Sequence, residues 1–335
     1  MSIYIIAEVG PNHNGSLETA LKMIDQLAAS GADAIKFQLA VPENVYSKDA
    51  FKADYQEEND GVGSPLEMSR RIQLSFEQHE KLYKACKEAG VDYMCTAFDT
   101  ESLRRLDEKF EMPYFKIASG EITSLDILEY ISKRDRKILL STGMATFEDI
   151  EAAIEILDRK KSKDITVLHC VSNYPAEYGE INLNVIPSLQ KRFGRPVGFS
   201  DHSLGPECCL GAVALGAKVL EKHVTLDKNM TGPDHQASAT MQEFEALVRS
   251  VRGLEMALGD REKSFSDAEI GIRSMARKSI VSVRDIREGE VISVGDIGYK
   301  RPGTGISPLR SSTVIGRTAK RPINADRVIL PEWLG

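Results

Sequence analysis

Two histidines close successive apolar runs near the middle of the chain: Val197-Gly-Phe-Ser-Asp-His202 and Val219-Leu-Glu-Lys-His-Val224. Gly232-Pro-Asp-His235 follows within a dozen residues. Each run has the length and apolar content of a short buried strand. His202 and His223 then sit at or beside the C-terminal ends of neighbouring strands, where parallel α/β folds build their sites. Two imidazoles placed this way could share one metal ion. A strand-end histidine can equally be a hydrogen-bonded core residue, and spacing alone leaves both readings open.

Side chains alternate along a strand, so residues two apart share a face. Lys36 with Gln38, Ser200 with His202, and Glu221 with His223 are expected to point inward together. Glu8 ends the first run and Lys116 lies in the fourth, while Ser119-Gly-Glu121 and Ser141-Thr-Gly143 fall at run ends. Buried charge without a partner is costly. Lys36, Lys116, Glu8 and Glu221 therefore need partners, which a bound anion and a metal would supply. Serine and glycine at several tips leave backbone N–H groups free to cradle a phosphate. A lysine here could instead snorkel, or form a Schiff base as in aldolases. His169 and His13 read as structural or supporting groups, and His79, at a helix start, as solvated. Asp234 could be a turn residue after Pro233, and Arg301 a surface arginine.

These residues need a scaffold that brings strand ends together. Eight candidate strands occupy the first 225 residues: Tyr4–Val9, Ala34–Leu39, Asp92–Phe98, Tyr114–Ser119, Lys137–Thr142, Ile165–Cys170, Val197–His202 and Val219–Val224. Helical periodicity fills most gaps. Ser16 caps a pattern that stops at Gly31, Ser75-Phe-Glu-Gln78 opens a helix ending near Gly90, and Thr146-Phe-Glu-Asp149 is a capping-box variant. A last helix covers about 242–258. Eight alternating strand–helix units in about 250 residues point to an α/β fold, a TIM (β/α)8 barrel. A doubly wound open sheet is the alternative, but no G-x-G-x-x-G follows the first strand. Residues 40–75 make one connection too long for a simple loop, expected to overhang the catalytic face.

The pattern changes near residue 260. We expect a barrel domain over 1–260, a linker over 261–277 and a small β domain over 278–335. The last segment shows a faint repeat, Ile286-x-x-Gly-Glu-Val-Ile292 against Ile323-x-x-Asp-Arg-Val-Ile329. It holds ten Lys and Arg against six Asp and Glu, although the whole chain carries −7. That net charge argues against nucleic acid as a partner. No apolar stretch approaches the roughly 20 residues of a membrane span. The N-terminus runs straight into a strand without a basic flank, and five unpaired cysteines suit a reducing compartment, so a cytoplasmic protein is expected.

In this order and at these tips, the motifs resemble the sialic acid synthases, the N-acetylneuraminate and N,N'-diacetyllegionaminate synthase group. The likeness runs nearly end to end. It includes Ala7-Glu-Val-Gly-Pro-Asn-His-Asn-Gly15, Ile35-Lys-Phe-Gln38, Tyr55-Gln56, Phe115-Lys-Ile-Ala-Ser-Gly-Glu121, Leu140-Ser-Thr-Gly-Met144, Leu168-His-Cys170, Phe199-Ser-Asp-His202, Glu221-Lys-His223, Gly232-Pro-Asp-His235 and Lys300-Arg-Pro-Gly-Thr-Gly305. The resemblance implies a TIM barrel followed by an antifreeze-like domain of the SAF, β-clip type. It implies condensation of phosphoenolpyruvate with an N-acetylated mannosamine-type sugar, with release of phosphate. It also implies a divalent metal, Mn2+ foremost and Mg2+ or Co2+ as alternatives, held by His202 and His223. Lys36, Thr96, Lys116, Ser119, Ser141, Ser172 and Ser200 match the phosphoenolpyruvate positions. Glu8, Gln38, Tyr174 and Asp234 match the sugar side, with Glu8, Glu121 and His202 as the catalytic candidates. Arg301 matches an arginine reaching the sugar from the other subunit of a homodimer with exchanged C-terminal domains. Three segments depart from the family pattern: Cys95-Thr-Ala-Phe98, Ser172 where a relative has asparagine, and Pro175-Ala-Glu-Tyr178. The acceptor stays open among N-acetylmannosamine, its 6-phosphate and a diacetamido 6-deoxy sugar. A Schiff-base aldolase is a more distant alternative.

Overall fold

The computed structural model describes residues 2–61, 63–159, 164–259 and 262–335. The eight expected strands are present: β1 (Tyr4–Glu8), β2 (Ala34–Leu39), β3 (Asp92–Ala97), β4 (Tyr114–Ile117), β5 (Lys137–Ser141), β6 (Ile165–Cys170), β7 (Val197–Asp201) and β8 (Val219–Thr225). Parallel ladders run unbroken in the order β3-β2-β1-β8-β7-β6-β5-β4, and β3 and β4 lie side by side to close the ring. The result is the expected TIM-type barrel. Several strands end one or two residues early, because the chain already turns outward there. After β4, for example, Ser119–Glu121 forms a 3-10 turn.

The helices begin where side chains satisfy their free N–H groups. Ser16 accepts from the Thr19 N–H at the start of Leu17–Ala29, Ser75 from that of Gln78, and Thr146 from that of Asp149. Gly90 ends its helix with φ of 75°, a conformation that costs glycine nothing. The helices bury apolar stripes against the outer strand faces in one large core, with Phe37, Phe115, Phe199 and Phe244 among its largest buried side chains.

Inside the ring the strands make two layers. Ile6, Ala34, Met94, Tyr114, Leu139, Leu168 and Val219 form the apolar lower layer, with Tyr4 beside them. Gly198 occupies the position on β7. A Cβ there would lie 2.4 Å from Leu168 Cδ2 and 2.7 Å from the Val219 carbonyl oxygen, so only glycine fits. Two residues further along each strand come Glu8, Lys36, Thr96, Lys116, Ser141, Cys170, Ser200 and Glu221. One pleat period separates an apolar floor from a polar ceiling.

The long connection after β2 is not irregular. It holds three short helices, Pro42–Val45, Asp54–Asp60 and Pro65–Ile72. Lys52 is buried on Asp60 at 2.8 Å and also donates to the Gly61 carbonyl. Asn59 Nδ2 donates to the Pro233 carbonyl and Asn59 O accepts from the Gly232 N–H, tying this connection to the one after β8.

The chain divides into two compact units, 1–259 and 260–335. The expected boundary at 260/261 lies outside the described residues. Part of the segment read as a linker is helical, Asp267–Ala276, and belongs to the second unit. That unit pairs strands Ser279–Ser282 and Ile297–Lys300 antiparallel around its own core. The faint repeat is structural. Ile286 and Ile323 exchange backbone hydrogen bonds at 2.8 and 2.9 Å, and Ile286, Ile292, Ile323 and Ile329 are all buried together. Gly289 and Asp326, at equivalent points of the repeat, both have positive φ. The two copies are joined by isolated bridges.

Candidate active site

The polar layer lines a cavity of about 860 Å³ at the C-terminal ends of the strands. Its charges compensate one another. Lys36 Nζ lies 2.7 Å from Glu8 and 3.7 Å from Glu221, and Lys116 Nζ lies 3.4 Å from Glu221. Gln38 Nε2 donates to Glu8 (2.7 Å), Ser200 Oγ to Glu221 (2.9 Å) and Lys36 to Thr96 Oγ1 (3.2 Å). The expectation that these four charges wait for external partners is thus corrected: they pair first with each other. Register explains it, since Glu8 stands opposite Lys36 on β2 and Ser200 opposite Glu221 on β8.

Burial and pairing pull the titrations apart. Burial alone would raise the Glu221 carboxyl, but Lys116 and Lys36 bring it down to about 2. Glu8 goes the other way: burial raises it, and Lys36 only partly opposes that. Burial likewise lowers Lys116, whereas on Lys36 the two carboxylates overcome burial and raise it.

Beside this ring stand the two imidazoles, His202 just beyond β7 and His223 within β8, with ring centroids 5.2 Å apart. His202 Nδ1 lies 2.6 Å from the Val171 carbonyl, which can only accept, so Nδ1 carries the proton. Its Nε2 faces the Tyr174 hydroxyl at 2.9 Å. His223 Nδ1 is buried without a hydrogen-bond partner, and Asp234 Oδ2 is 3.4 Å away. Burial, reinforced by His202, holds His223 well below the usual imidazole range, in the neutral form that ligates metals. Burial opposes charge on His202 as well, but the Cys170 thiol and the Val171 carbonyl raise it overall. Burial also lifts Asp234 to about 7.

This donor set fits a divalent ion. One imidazole is oriented by a carbonyl behind it, as metal-bound histidines usually are. The other offers an unpartnered nitrogen. Among the described residues no cluster of three His, Cys, Asp or Glu forms a closed centre. A two-histidine site would leave its remaining positions to water and substrate.

A hydroxyl cradle lines the same cavity. Ser119 Oγ accepts the Gly143 N–H at 3.0 Å, and Ser141 Oγ is buried without a partner. A Cβ on residue 143 would sit 2.2 Å from Ser172 Oγ and 2.9 Å from Ser119 Oγ, so glycine is what lets these hydroxyls converge. Cys170 Sγ closes the back, 3.5 Å from Ser119 Oγ.

Most of the sequence-derived candidates meet here: Glu8, Lys36, Gln38, Thr96, Lys116, Ser119, Ser141, Ser172, Tyr174, Ser200, His202 and His223 all line the cavity. Asp234 lines an adjoining hollow that shares Gln38, Tyr174 and His223. Glu121 is not among them. It turns into a separate depression, where Ser124 Oγ donates to it. Arg301 lies in the second unit, exposed, with Nε donating to the Ala276 carbonyl at 2.8 Å. His79, read as solvated, is fully buried and lies 2.7 Å from the Tyr93 hydroxyl. Its helix turns that position onto the barrel wall.

Sequence reading assigns no role to Cys170, Tyr55 or Gln56. Cys170 follows from strand alternation, two residues beyond Leu168 and in register with Ser200. Tyr55 stacks on Tyr174 with centroids 5.2 Å apart, and Tyr174 packs on His202 at 4.1 Å. Nothing in local periodicity announces that contact.

Residues 23–263 match the NeuB family model and residues 277–334 the SAF domain. N,N'-diacetyllegionaminic acid synthase of Campylobacter jejuni is 43% identical over 97% of this chain and 98% of its own length. The protein of that name from Legionella pneumophila is 39% identical over 100% of this chain and 95% of its own. The crystal structure of N-acetylneuraminic acid synthetase from Leptospira borgpetersenii, in complex with citrate, superposes with a TM-score of 0.73 at 32% identity, covering 81% of this chain and 90% of that one. With its barrel, polar strand-end cavity and C-terminal β unit, the chain belongs to the NeuB family and ends in a SAF domain.

Proposed function

We propose that the protein is a nonulosonate synthase, joining phosphoenolpyruvate to the aldehyde of an N-acetylated mannosamine-type sugar and releasing phosphate. The observation that carries this reading is the polar ring itself: two lysines, a hydroxyl cradle and a pair of imidazoles line one cavity. Lys36 and Lys116 face the anionic groups of phosphoenolpyruvate, and Thr96, Ser119, Ser141, Ser172 and Ser200 offer hydroxyl donors. Gln38, Tyr174 and Asp234 line the sugar side. A divalent ion held by His202 and His223, Mn2+ foremost and Mg2+ or Co2+ as alternatives, would supply Lewis-acid polarisation of the aldehyde.

C3 of phosphoenolpyruvate bonds to the aldehyde carbon. Water adds at C2, and the tetrahedral intermediate expels phosphate with C–O cleavage. Glu8, raised by burial and only partly opposed by Lys36, would hold or move a proton. Glu121 is the second carboxylate in this proposal, and it needs a shift of its turn to reach the cavity. Arg301 would reach the sugar from the partner in an exchanged homodimer working in the cytoplasm. The names of the Campylobacter and Legionella relatives favour a diacetamido 6-deoxy acceptor, with N-acetylmannosamine as the alternative. The test is phosphate release from phosphoenolpyruvate by metal-loaded protein with each acceptor. Release with none of them would sink the proposal.

A further inference from the structure

The connection after β2 is the longest between barrel strands, and the chemistry above uses little of it. Past Gln38, Tyr174 and His223 the cavity opens into a second hollow of about 760 Å³. A sugar whose aldehyde lies near His202 and His223 has its distal carbons left to place there. The far wall comes from this connection: Val45, Tyr46, Met68, Ser69, Ile72 and Gln73.

Two observations define what this wall can read. First, no Lys or Arg lines the hollow among the described residues, and Asp234 does. Of the connection's basic groups, Lys52 and Arg71 are held on Asp60 and Arg70 on Glu43, while Lys48 is exposed and does not line the hollow. A phosphoryl group would meet a carboxyl and no cation among these lining residues. Second, Gln73 is pre-oriented. Its Oε1 accepts the Ala40 N–H at 3.1 Å, which decides which end of the amide is oxygen. Nε2 lies 3.5 Å from Ser69 Oγ, the limit of hydrogen-bonding reach, and keeps an N–H for a ligand. Met68 and Ile72 place apolar surface beside it.

We propose that Gln73 determines acceptor specificity. Its Nε2 donates to the carbonyl of an acetamido group on the distal half of the sugar, Met68 and Ile72 receive a terminal methyl, and the hollow rejects a phosphorylated end. This rests on the synthase reading above.

The test uses the full chain, loaded with metal, and three acceptors: a 2,4-diacetamido 6-deoxy mannose-type sugar, N-acetylmannosamine and N-acetylmannosamine 6-phosphate. The readout is the ratio of kcat/KM for the first to that for the second. Wild type is expected to favour the diacetamido sugar at least about tenfold and to leave the 6-phosphate unused. Gln73→Leu is expected to cut the ratio about tenfold, mainly through KM, the loss of one hydrogen bond. Gln73→Glu keeps an oxygen for the Ala40 N–H but has no N–H to donate, so the same fall is expected. Recovery of the wild-type ratio by Gln73→Glu would reveal a packing role and overturn the proposal. So would an unchanged ratio in both variants, or use of the 6-phosphate as readily as the uncharged sugars. Absence of phosphate release with every acceptor refutes the synthase reading instead. Calorimetric affinities for the same three sugars, wild type against variants, then decide the specificity proposal by the same ratios.

Discussion

The lower and upper layers of the barrel interior use the same eight strands, two residues apart, and do opposite things. Below, Ile6, Ala34, Met94, Leu139, Leu168 and Val219 are in mutual apolar contact and leave no polar side-chain atom to satisfy. Above, Glu8, Lys36, Lys116 and Glu221 are equally buried but satisfied only by each other and their polar neighbours, and Ser141 Oγ and His223 Nδ1 are not satisfied at all. Close packing settles the lower layer. The upper layer retains unmet hydrogen-bonding capacity, and such capacity under burial is what binds ligands. Stability and chemistry are divided by a single pleat.

Four measurements would sharpen or break this division. The largest effect is expected from His223→Ala in the upper layer. Turnover should fall by about a thousandfold or more through loss of a proposed ligand, while the melting temperature moves only a few degrees. Wild-type turnover with normal metal content would refute the assignment. Next comes Glu221→Gln, which leaves Lys36 and Lys116 buried without their shared carboxylate. A loss of about 3 kcal/mol or more in denaturant unfolding is expected. A change under about 1 kcal/mol would mean that the ring charges lean on solvent rather than on each other.

The third measurement moves outside the ring. Burial holds His79 down at about 3, far below its unfolded value of roughly 6.5. The unfolded state therefore takes up the proton first as pH falls. The contribution is complete above about pH 6.5 and is lost progressively as pH drops toward 3. Asp234, raised by burial, acts with the opposite sign, so the comparison must be between wild type and His79→Gln. Wild type should lose about 2 kcal/mol more than the variant between pH 7 and pH 5. Parallel losses would mean that His79 is not held neutral. The smallest effect is Gly198→Ala in the lower layer, where the new Cβ meets Leu168 and the Val219 backbone. A loss of about 1–3 kcal/mol is expected, with little change in KM. A larger effect on KM than on stability would show that the two layers are coupled.

Much of this is legible in the chain itself. Alternation at Lys36/Gln38 and Glu221/His223 places those side chains in the lumen, because the period-2 pleat is a property of the local chain. Ser16, Ser75 and Thr146 mark helix starts for the same local reason. Ile286 and Ile323 carry the internal repeat, and both halves bury the same positions. Where sequence and structure part, the cause is of another kind. His79 reads as solvated from its place in a helix start, yet burial depends on what that helix packs against. The residues after β2 read as one irregular loop, yet they hold three short helices, one ending at Asp60, which Lys52 pairs with, and one opened by the Ser64 and Glu67 capping box.

By itself, then, the sequence determines strand count, inward faces and the chemical types at the strand tips, since all of these depend on neighbours a few residues apart. Only the tertiary structure decides who meets whom. Ring closure sets Glu8 in register with both Lys36 and His223, more than 200 residues downstream. It makes two lysines and two glutamates a self-compensating set, turns Glu121 away from the cavity and brings Gln73 to the far wall of the adjoining hollow. Such contacts depend on long-range closure, which no local pattern encodes.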